Sequence, residues 1–272
     1  MHNILKIFYN FVQEYLIISL SEQKMKILVC ISHVPDTTSK INFSEDFTKF
    51  DTNGVQFVIN PLDEFALTRA MWFKEKQGAS VTVISAGLAV TEPTLRKALA
   101  IGADEAIRIN VDPTDGYQVA IQLAEVVKNE AFDLILAGKE SLDYNGGMVP
   151  GMMAEILGFN FVNACIGLEI DGNSCSVSRE IDGGKEVLTC NLPLIIGGQK
   201  GLVEEKDLRI PNMRGIMMAR SKPLKVMEPI NFDATTATLT YEKPKAKGAC
   251  KLIDSGNIDE LIQLLHNEAK VI

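Results

Sequence analysis

Long apolar runs are missing from this chain: none approaches the about 18 uninterrupted apolar residues that a bilayer-spanning helix needs, so direct membrane insertion is not expected. Positive charge is also in short supply. Lys plus Arg number 27 against 35 Asp plus Glu, and the formal net charge of -8 repels a phosphate backbone, which argues against a nucleic-acid partner. Five cysteines (Cys30, Cys165, Cys175, Cys190, Cys250) form an odd set without a CxxC. Such a set gives neither a disulfide framework nor a metal site, and it suits free thiols in a reducing, cytoplasmic setting. Of three histidines, His2 lies near the start, His266 near the end and His33 just past the first expected strand, none beside an obvious carboxylate or cysteine partner. No nucleophile and base pair is visible.

Two nucleotide-binding signatures are absent as well. Gly138-Lys139 is followed by Glu140-Ser141 and preceded five residues earlier by Asp133 rather than Gly, which fails the P-loop pattern. No GxGxxG follows the first strand, against an ordinary dinucleotide-binding dehydrogenase.

What is present is enough apolar material, 46% of 272 residues, for one core plus a smaller appendage. Residues 1–24 differ in character from the rest and read as an N-terminal extension to a fold that starts at Met25. From there short apolar runs alternate with amphipathic helices, the pattern of an open, mostly parallel sheet covered by helices on both faces. Ile27 to Ile31, Val81 to Ser85, Ala106 to Ile109 and Leu134 to Ala137 read as strands. Asn60-Pro61-Leu62-Asp63 opens a helix that should stop at Gly78, with Asn60 as its cap. Further helices are expected from Thr91-Glu92-Pro93 to Gly102, over Tyr117 to Asn129, and from about Met148 to Leu157.

Near residue 162 the period changes. Ile166 to Ile170, Ser176 to Ile181 and Glu186 to Cys190 alternate around the turns Asp171-Gly172-Asn173 and Asp182-Gly183-Gly184, as an antiparallel meander does. The main α/β domain spans 25–229 on this reading. Residues 230–272 form a Lys/Pro-rich linker and a terminal helix, Asp259 to Ala269, whose Leu261, Ile262, Leu264 and Leu265 suit an arm that docks elsewhere.

An open α/β sheet binds ligands in loops at the carboxyl ends of its strands. Four such loops stand out: Cys30 to Thr37, Asn60 to Asp63, Ala86-Gly87, and Gly138 to Val149. In the last, Gly138, Gly146, Gly147 and Gly151 let backbone amides approach an anion near a helix start, which suits a phosphate-bearing nucleotide. A plainer reading stays open beside it, in which Gly146-Gly147 only turns the chain and Asn145 only caps the helix. His33 is likewise either a phosphate contact or a structural residue. Nucleotide-type loops without catalytic groups read as a binding protein whose chemistry belongs to a cofactor.

The stretch Val177-Ser178-Arg179-Glu180-Ile181-Asp182-Gly183-Gly184-Lys185-Glu186-Val187-Leu188, ending in Leu192-Pro193-Leu194-Ile195-Ile196, resembles the diagnostic segment of the electron transfer flavoprotein beta subunits, called FixA in nitrogen-fixing relatives. Val34-Pro35-Asp36-Thr37, Asn60-Pro61, Ala98-Leu99-Ala100-Ile101-Gly102-Ala103-Asp104 and Asp133-Leu134-Ile135-Leu136-Ala137-Gly138-Lys139 support the likeness, which covers Met25 to the last helix. The resemblance implies an adenine nucleotide alpha hydrolase-like fold. It also implies a heterodimer with an alpha subunit that carries the redox FAD, passing electrons from acyl-CoA or other flavin dehydrogenases to a quinone oxidoreductase or another acceptor. The beta chain would wall the flavin pocket and hold an AMP without a redox role.

Carried over by position, the AMP site falls on Cys30, on Asn60, Pro61, Leu62 and Asp63, on Ala86, and on Gly138, Lys139, Glu140, Ser141, Leu142, Asp143, Tyr144, Asn145, Gly146, Gly147, Met148 and Val149. These are the loops that the sheet argument selects. The family's recognition loop falls at about 194–212, with Leu202 as the protruding anchor for a partner dehydrogenase and Glu204 beside it. Two departures matter. The family's acidic stretch ending Asn-Gln-Thr is replaced by Leu142 to Val149, so phosphate contacts cannot be carried over by side chain; and Thr37 stands where some members have a flavin-facing Tyr. Val34 to Thr37, Lys206 to Arg209, Arg214-Gly215 and Met218 to Arg220 resemble the electron-bifurcating branch, in which a second FAD takes the AMP position. A stand-alone adenine-nucleotide-binding protein is the other alternative. Arg209, Arg214, Arg220, Lys222 and Lys225 read either as a basic strip facing a partner or flavin phosphate, or as solvated surface.

Overall fold

A computed structural model describes residues 24–232, 234–246 and 248–272; the expected N-terminal extension, residues 1–24, lies outside the described residues but for Lys24. In chain order the elements are β1 (Lys26–Cys30), β2 (His33–Pro35), β3 (Asn42–Phe43), β4 (Phe50–Asp51), β5 (Phe57–Ile59), α1 (Pro61–Gln77), β6 (Ser80–Ala86), α2 (Glu92–Ile101), β7 (Glu105–Ile109), α3 (Gly116–Asn129) and β8 (Leu134–Gly138). There follow α4 (Val149–Leu157), β9 (Asn160–Asp171), β10 (Ser174–Ile181), β11 (Gly184–Asn191), β12 (Leu194–Gly198), α5 (Met213–Ala219), β13 (Leu224–Met227) and α6 (Ile258–Gln263), which continues as a π-helical turn over Leu264–Ala269.

A nine-stranded sheet runs β11-β10-β9-β12-β8-β1-β6-β7-β13. Every pairing from β9 to β13 in that order is parallel, and only β9-β10 and β10-β11 are antiparallel. The expected fold class is what the chain adopts. Two-residue alternation sorts the strands between the two faces. Ile27 and Val29 face a core with Leu67, Leu95 and Leu99 from α1 and α2, whereas Leu28 and Cys30 face Leu123, Val126 and Met153 from α3 and α4.

The change of sheet type occurs inside one strand. Residues Asn160 to Cys165 of β9 pair with β12 in parallel, and Cys165 to Asp171 pair with β10 antiparallel, with an irregularity where the pairing passes over. One expectation needs correction here. Leu194 to Gly198, placed at the start of a recognition loop, is the fully buried strand β12, between β8 and β9, because Leu194-Ile195-Ile196 is a short apolar run of the kind a doubly covered strand uses. The segment after Pro193 also supplies the edge strand β13 beside β7.

Helix boundaries follow the sequence signals. α1 ends at Gly78 with φ +70 and α4 at Gly158 with φ +66, the left-handed closure that glycine permits without strain. Asp115 caps α3 by accepting the Gln118 amide at 2.7 Å. Asn60, expected to cap α1, makes no cap bond with its side chain.

Ile230, Phe232 and Tyr241 anchor the C-terminal segment to the body. Ile230 and Gln122 exchange two hydrogen bonds (2.8 and 2.9 Å), Phe232 packs edge-on to Tyr117, and the Tyr241 amide donates to the Phe47 carbonyl at 2.7 Å. Beyond them α6 exposes Ile258, Leu261 and Ile262.

Candidate functional site

Strand order reverses at β1: the chain goes from β1 to β6 on one side and returns to β8 on the other. The crevice at the carboxyl ends of β1 and β8 is therefore the ligand position that doubly wound sheets favour. The loops singled out in the sequence converge there. Asp63, 3% exposed, accepts the Ser32 amide with Oδ2 at 2.7 Å and the Gly138 amide with Oδ1 at 2.8 Å. Asn60, fully buried, donates from Nδ2 to the Glu140 carbonyl at 2.9 Å and accepts the Leu142 amide at 3.4 Å. The start of α1 thus ties the end of β1 to the loop that leaves β8.

Gly138 is needed for that approach. A Cβ there would lie 2.5 Å from Asp63 Oδ1, 2.8 Å from Leu62 Cβ and 3.0 Å from Asn60 Nδ2. Past Gly138 the loop doubles back: the Ser141 amide donates to the Gly146 carbonyl at 3.0 Å, and Asn145 sits at φ +51. Asn145 is a turn residue, and the residue at the cap of α4 is Met148, without a side-chain cap. The Met152 amide closes the first helical turn onto the Met148 carbonyl, so the amides before it point out of the helix start. Beside them Gly147 is exposed, and at Gly146 nothing lies within 4 Å of where a Cβ would stand. That donor set fits an anion such as a nucleotide phosphate.

Other residues expected at the site are spread more widely. Cys30 is buried, and desolvation followed by the Asp63 charge pushes its thiol far above the usual range, so it acts as a small apolar wall. Ala86 is partly covered at the end of β6, while Asp143, Tyr144, Asn145, Gly147 and Met148 are exposed. Burial lifts Asp63 to about 7 against the lowering effect of the two amide hydrogen bonds. Tyr144 reaches the C-terminal segment, its hydroxyl 3.3 Å from that of Tyr241, and this hydrogen bond is the main reason its phenol is raised to about 12.

His33 is structural: Nδ1 lies 2.7 Å from Thr94 Oγ1, the ring stacks on Phe57, and burial lowers its pKa. Arg108 escaped notice. It is 5% exposed and binds the Gly87 carbonyl at 2.9 Å, Asn110 at 2.8 Å and Glu92 at 3.2 Å, fixing the loop after β6. An arginine inside the apolar strand β7 was the available signal. Ser32 lies inside the expected loop Cys30 to Thr37, but its contribution is a backbone amide that residue type does not reveal.

Leu202 is corrected outright. It is 3% exposed and belongs to the core, over Gly198, because the Leu202 amide closes a turn onto the Gln199 carbonyl and sends the side chain back against β12. Glu204 is exposed, as are Ile210 and Met213 farther along. The basic strip divides: Arg209 pairs with Glu75 and Lys225 with Glu130, and Lys222 donates to the Leu99 and Ala103 carbonyls at the end of α2, while Arg214 and Arg220 are exposed. Among the described residues no helix is long and apolar enough to cross a membrane, and no group of three or more His, Cys, Asp or Glu could hold a metal ion.

Comparison with known proteins agrees with this architecture. A family model described as the electron transfer flavoprotein domain matches residues 48–231. The electron transfer flavoprotein subunit beta of Bacillus subtilis is 35% identical over 262 residues, covering 91% of this chain and 100% of the relative. That of Syntrophomonas wolfei is 35% identical over 252 residues, covering 91% and 98%. The human subunit is 31% identical over 236 residues, covering 83% and 91%. A nine-stranded sheet with its loops gathered at a switch point, matched over this length, leaves one assignment: the chain belongs to the electron transfer flavoprotein beta-subunit family.

Proposed function

We propose that this chain is the beta subunit of a heterodimeric electron transfer flavoprotein that works in the cytoplasm. It binds AMP in the crevice between β1 and β8 and helps to enclose an FAD carried mainly by the alpha subunit. FAD, when bound, supplies the electron-carrying chemistry. The chain's own residues supply position: Asp63 and Asn60 hold the two loop ends, and the amides at the start of α4, ahead of the bond from the Met152 amide to the Met148 carbonyl, would face the anion. The observation that carries the reading is the convergence at Gly138, where three side chains of α1 and its approach leave no room for a Cβ. Such a junction fixes a loop within a small tolerance, which a recognition site needs and a solvated turn does not.

Electrons would come from acyl-CoA or other flavin dehydrogenases and leave to a quinone oxidoreductase or another acceptor. The loop after β12 is the proposed docking region, with Glu204 on its exposed side; Leu202 is not available for it. Exposed Thr37, just past β2, lies where the flavin wall is proposed. Membership of the electron transfer flavoprotein beta-subunit family supports a carrier role.

Co-expression with an alpha subunit, size-exclusion chromatography with absorbance detection and extraction of the cofactors test the reading together. A yellow heterodimer that releases FAD and AMP in equal amounts supports it. Two FAD per heterodimer would replace AMP by a second flavin, and a colourless single chain that turns over ATP would overturn the carrier role.

A further inference from the structure

The proposed role leaves one pair of reactive side chains unused. Cys175 and Cys190 are direct partners in the register of β10 and β11. The two strands are joined by the two-residue turn Asp182-Gly183, flanked by the pair Ile181 and Gly184. In a hairpin of this kind the flanking residues exchange both backbone hydrogen bonds, and alternation along the ladder makes Cys175 and Cys190 such a pair too. Directly opposite residues of that class have Cα atoms about 5.5 Å apart, inside the range that a disulfide spans.

As direct partners across the ladder, the two thiols lie on the same face of the hairpin. Cys175 is buried in the core beside Val177, and Cys190 is partly open to solvent. The other cysteines have no such neighbour in the sheet. Cys30 is opposite Ile84, Cys165 is opposite Gly198 and Arg179, and Cys250 is exposed in the C-terminal segment.

We propose that Cys175 and Cys190 form a redox-active dithiol, closed by hydrogen peroxide into a disulfide that locks the β10–β11 hairpin and reopened by thiols. Cys190, the accessible member, attacks one peroxide oxygen; the O–O bond breaks, the sulfur becomes a sulfenic acid, and the departing hydroxide takes the thiol proton as water. Cys175 then attacks the sulfenic sulfur, the S–O bond breaks, and the second hydroxide leaves with the Cys175 proton as water. Two thiols give up two electrons and two protons, and one peroxide becomes two waters. In a reducing compartment the bond is transient, since a small thiol exchanges with it and restores both cysteines.

Burial raises both thiols, Cys175 to about 11, so closure is slow near neutral pH and speeds up as the solution becomes alkaline. The locked segment holds Arg179–Glu186 and the turn at Gly183, at the free edge of the sheet. A crosslink there removes the fraying to which an edge hairpin is prone.

The test uses the full chain carrying Cys250→Ser, which removes the exposed thiol. After peroxide, alkylation and non-reducing peptide mapping, one crosslinked species joining residues 175 and 190 is expected, with the loss of about two titratable thiols per chain, both restored by dithiothreitol. Cys175→Ser should stop at a sulfenic acid on Cys190 that dimedone traps, a readout that survives some loss of stability in the variant. Slower amide exchange across 174–191 in the oxidised form would confirm the lock. Full alkylation of both cysteines after a peroxide dose that oxidises free glutathione overturns the proposal. So does oxidation of Cys190 to a sulfinic acid, or into bonds between chains, without the internal link.

Discussion

Asp63 Oδ1 accepts the Gly138 amide at 2.8 Å although 75 residues separate them, and the other oxygen of the same carboxylate accepts Ser32. One side chain at the start of α1 thus joins the ends of two neighbouring parallel strands. A group so placed ties the crevice to protonation. The carboxyl's ordinary value is 3.8 and in the fold it is about 7, so the folded state favours the protonated form. Its contribution to stability is complete below pH about 4 and lost as pH rises through about 7. Asparagine stays neutral throughout but offers one acceptor oxygen, so one of the two amides loses its partner, at a cost of about 1–3 kcal/mol. Urea unfolding between pH 5 and 8 should show Asp63→Asn weaker than the parent at pH 5, with the gap narrowing toward pH 8. A gap that stays constant would remove the titration from the account.

Gly138→Ala should act on stability and on nucleotide binding together. Its Cβ would press against Leu62 Cβ at 2.8 Å, which cannot rotate away, as well as on Asp63. Overpacking of this kind costs about 1–3 kcal/mol. The displaced loop should also weaken AMP binding measured by calorimetry, whereas Gly184→Ala in the β10–β11 hairpin, where nothing lies within 4 Å of the added atom, should bind AMP as the parent does.

Leu202→Ala is a stability variant and not a docking variant. The side chain is core, and truncating a buried leucine costs about 2–5 kcal/mol. Chemical denaturation should show the full loss. Electron transfer from a donor dehydrogenase, assayed in the alpha/beta heterodimer well below the unfolding temperature, should keep its parent rate. Glu204→Ala should show the reverse: parent-like stability with slower transfer.

The frame of this molecule was legible because strands such as Val81 to Ser85 are nearly continuous apolar runs and helices such as α1 carry explicit stop signals at Gly78. Strand β12 was harder to see. Its apolar run sits just after Pro193, in a stretch whose later residues are polar, so local composition hid a strand that only the tertiary arrangement places at the centre. The loops of the candidate site follow from their place at the carboxyl ends of strands, the last of them also from its glycines, but the way they are held does not. Asn60 reads as a cap because it precedes Pro61, and Leu202 reads as an exposed anchor because the resemblance puts the family's protruding Leu at that position. In both cases a partner distant in sequence decides: the Glu140 carbonyl for one and the β12 face for the other. The facing of Cys175 and Cys190 depends on register, which spacing in a list of cysteines does not show.

Asn60→Ala separates the two roles that this asparagine has been given. As a helix cap its loss would fray α1, and amide exchange would rise in the first turn from Pro61. The side chain instead donates to the Glu140 carbonyl and accepts from Leu142, so its removal leaves a partly buried carbonyl without that donor, worth about 1–3 kcal/mol, in the loop after β8. Exchange should therefore accelerate between Lys139 and Gly147 while the first turn of α1 keeps the parent's protection. Restoring the amide one carbon farther out with Asn60→Gln should recover little of it, since Asn60 is fully buried and its Nδ2 already stands 2.9 Å from the Glu140 carbonyl, which leaves no space for a longer arm. Acceleration in α1 without any in the loop would return Asn60 to the capping role.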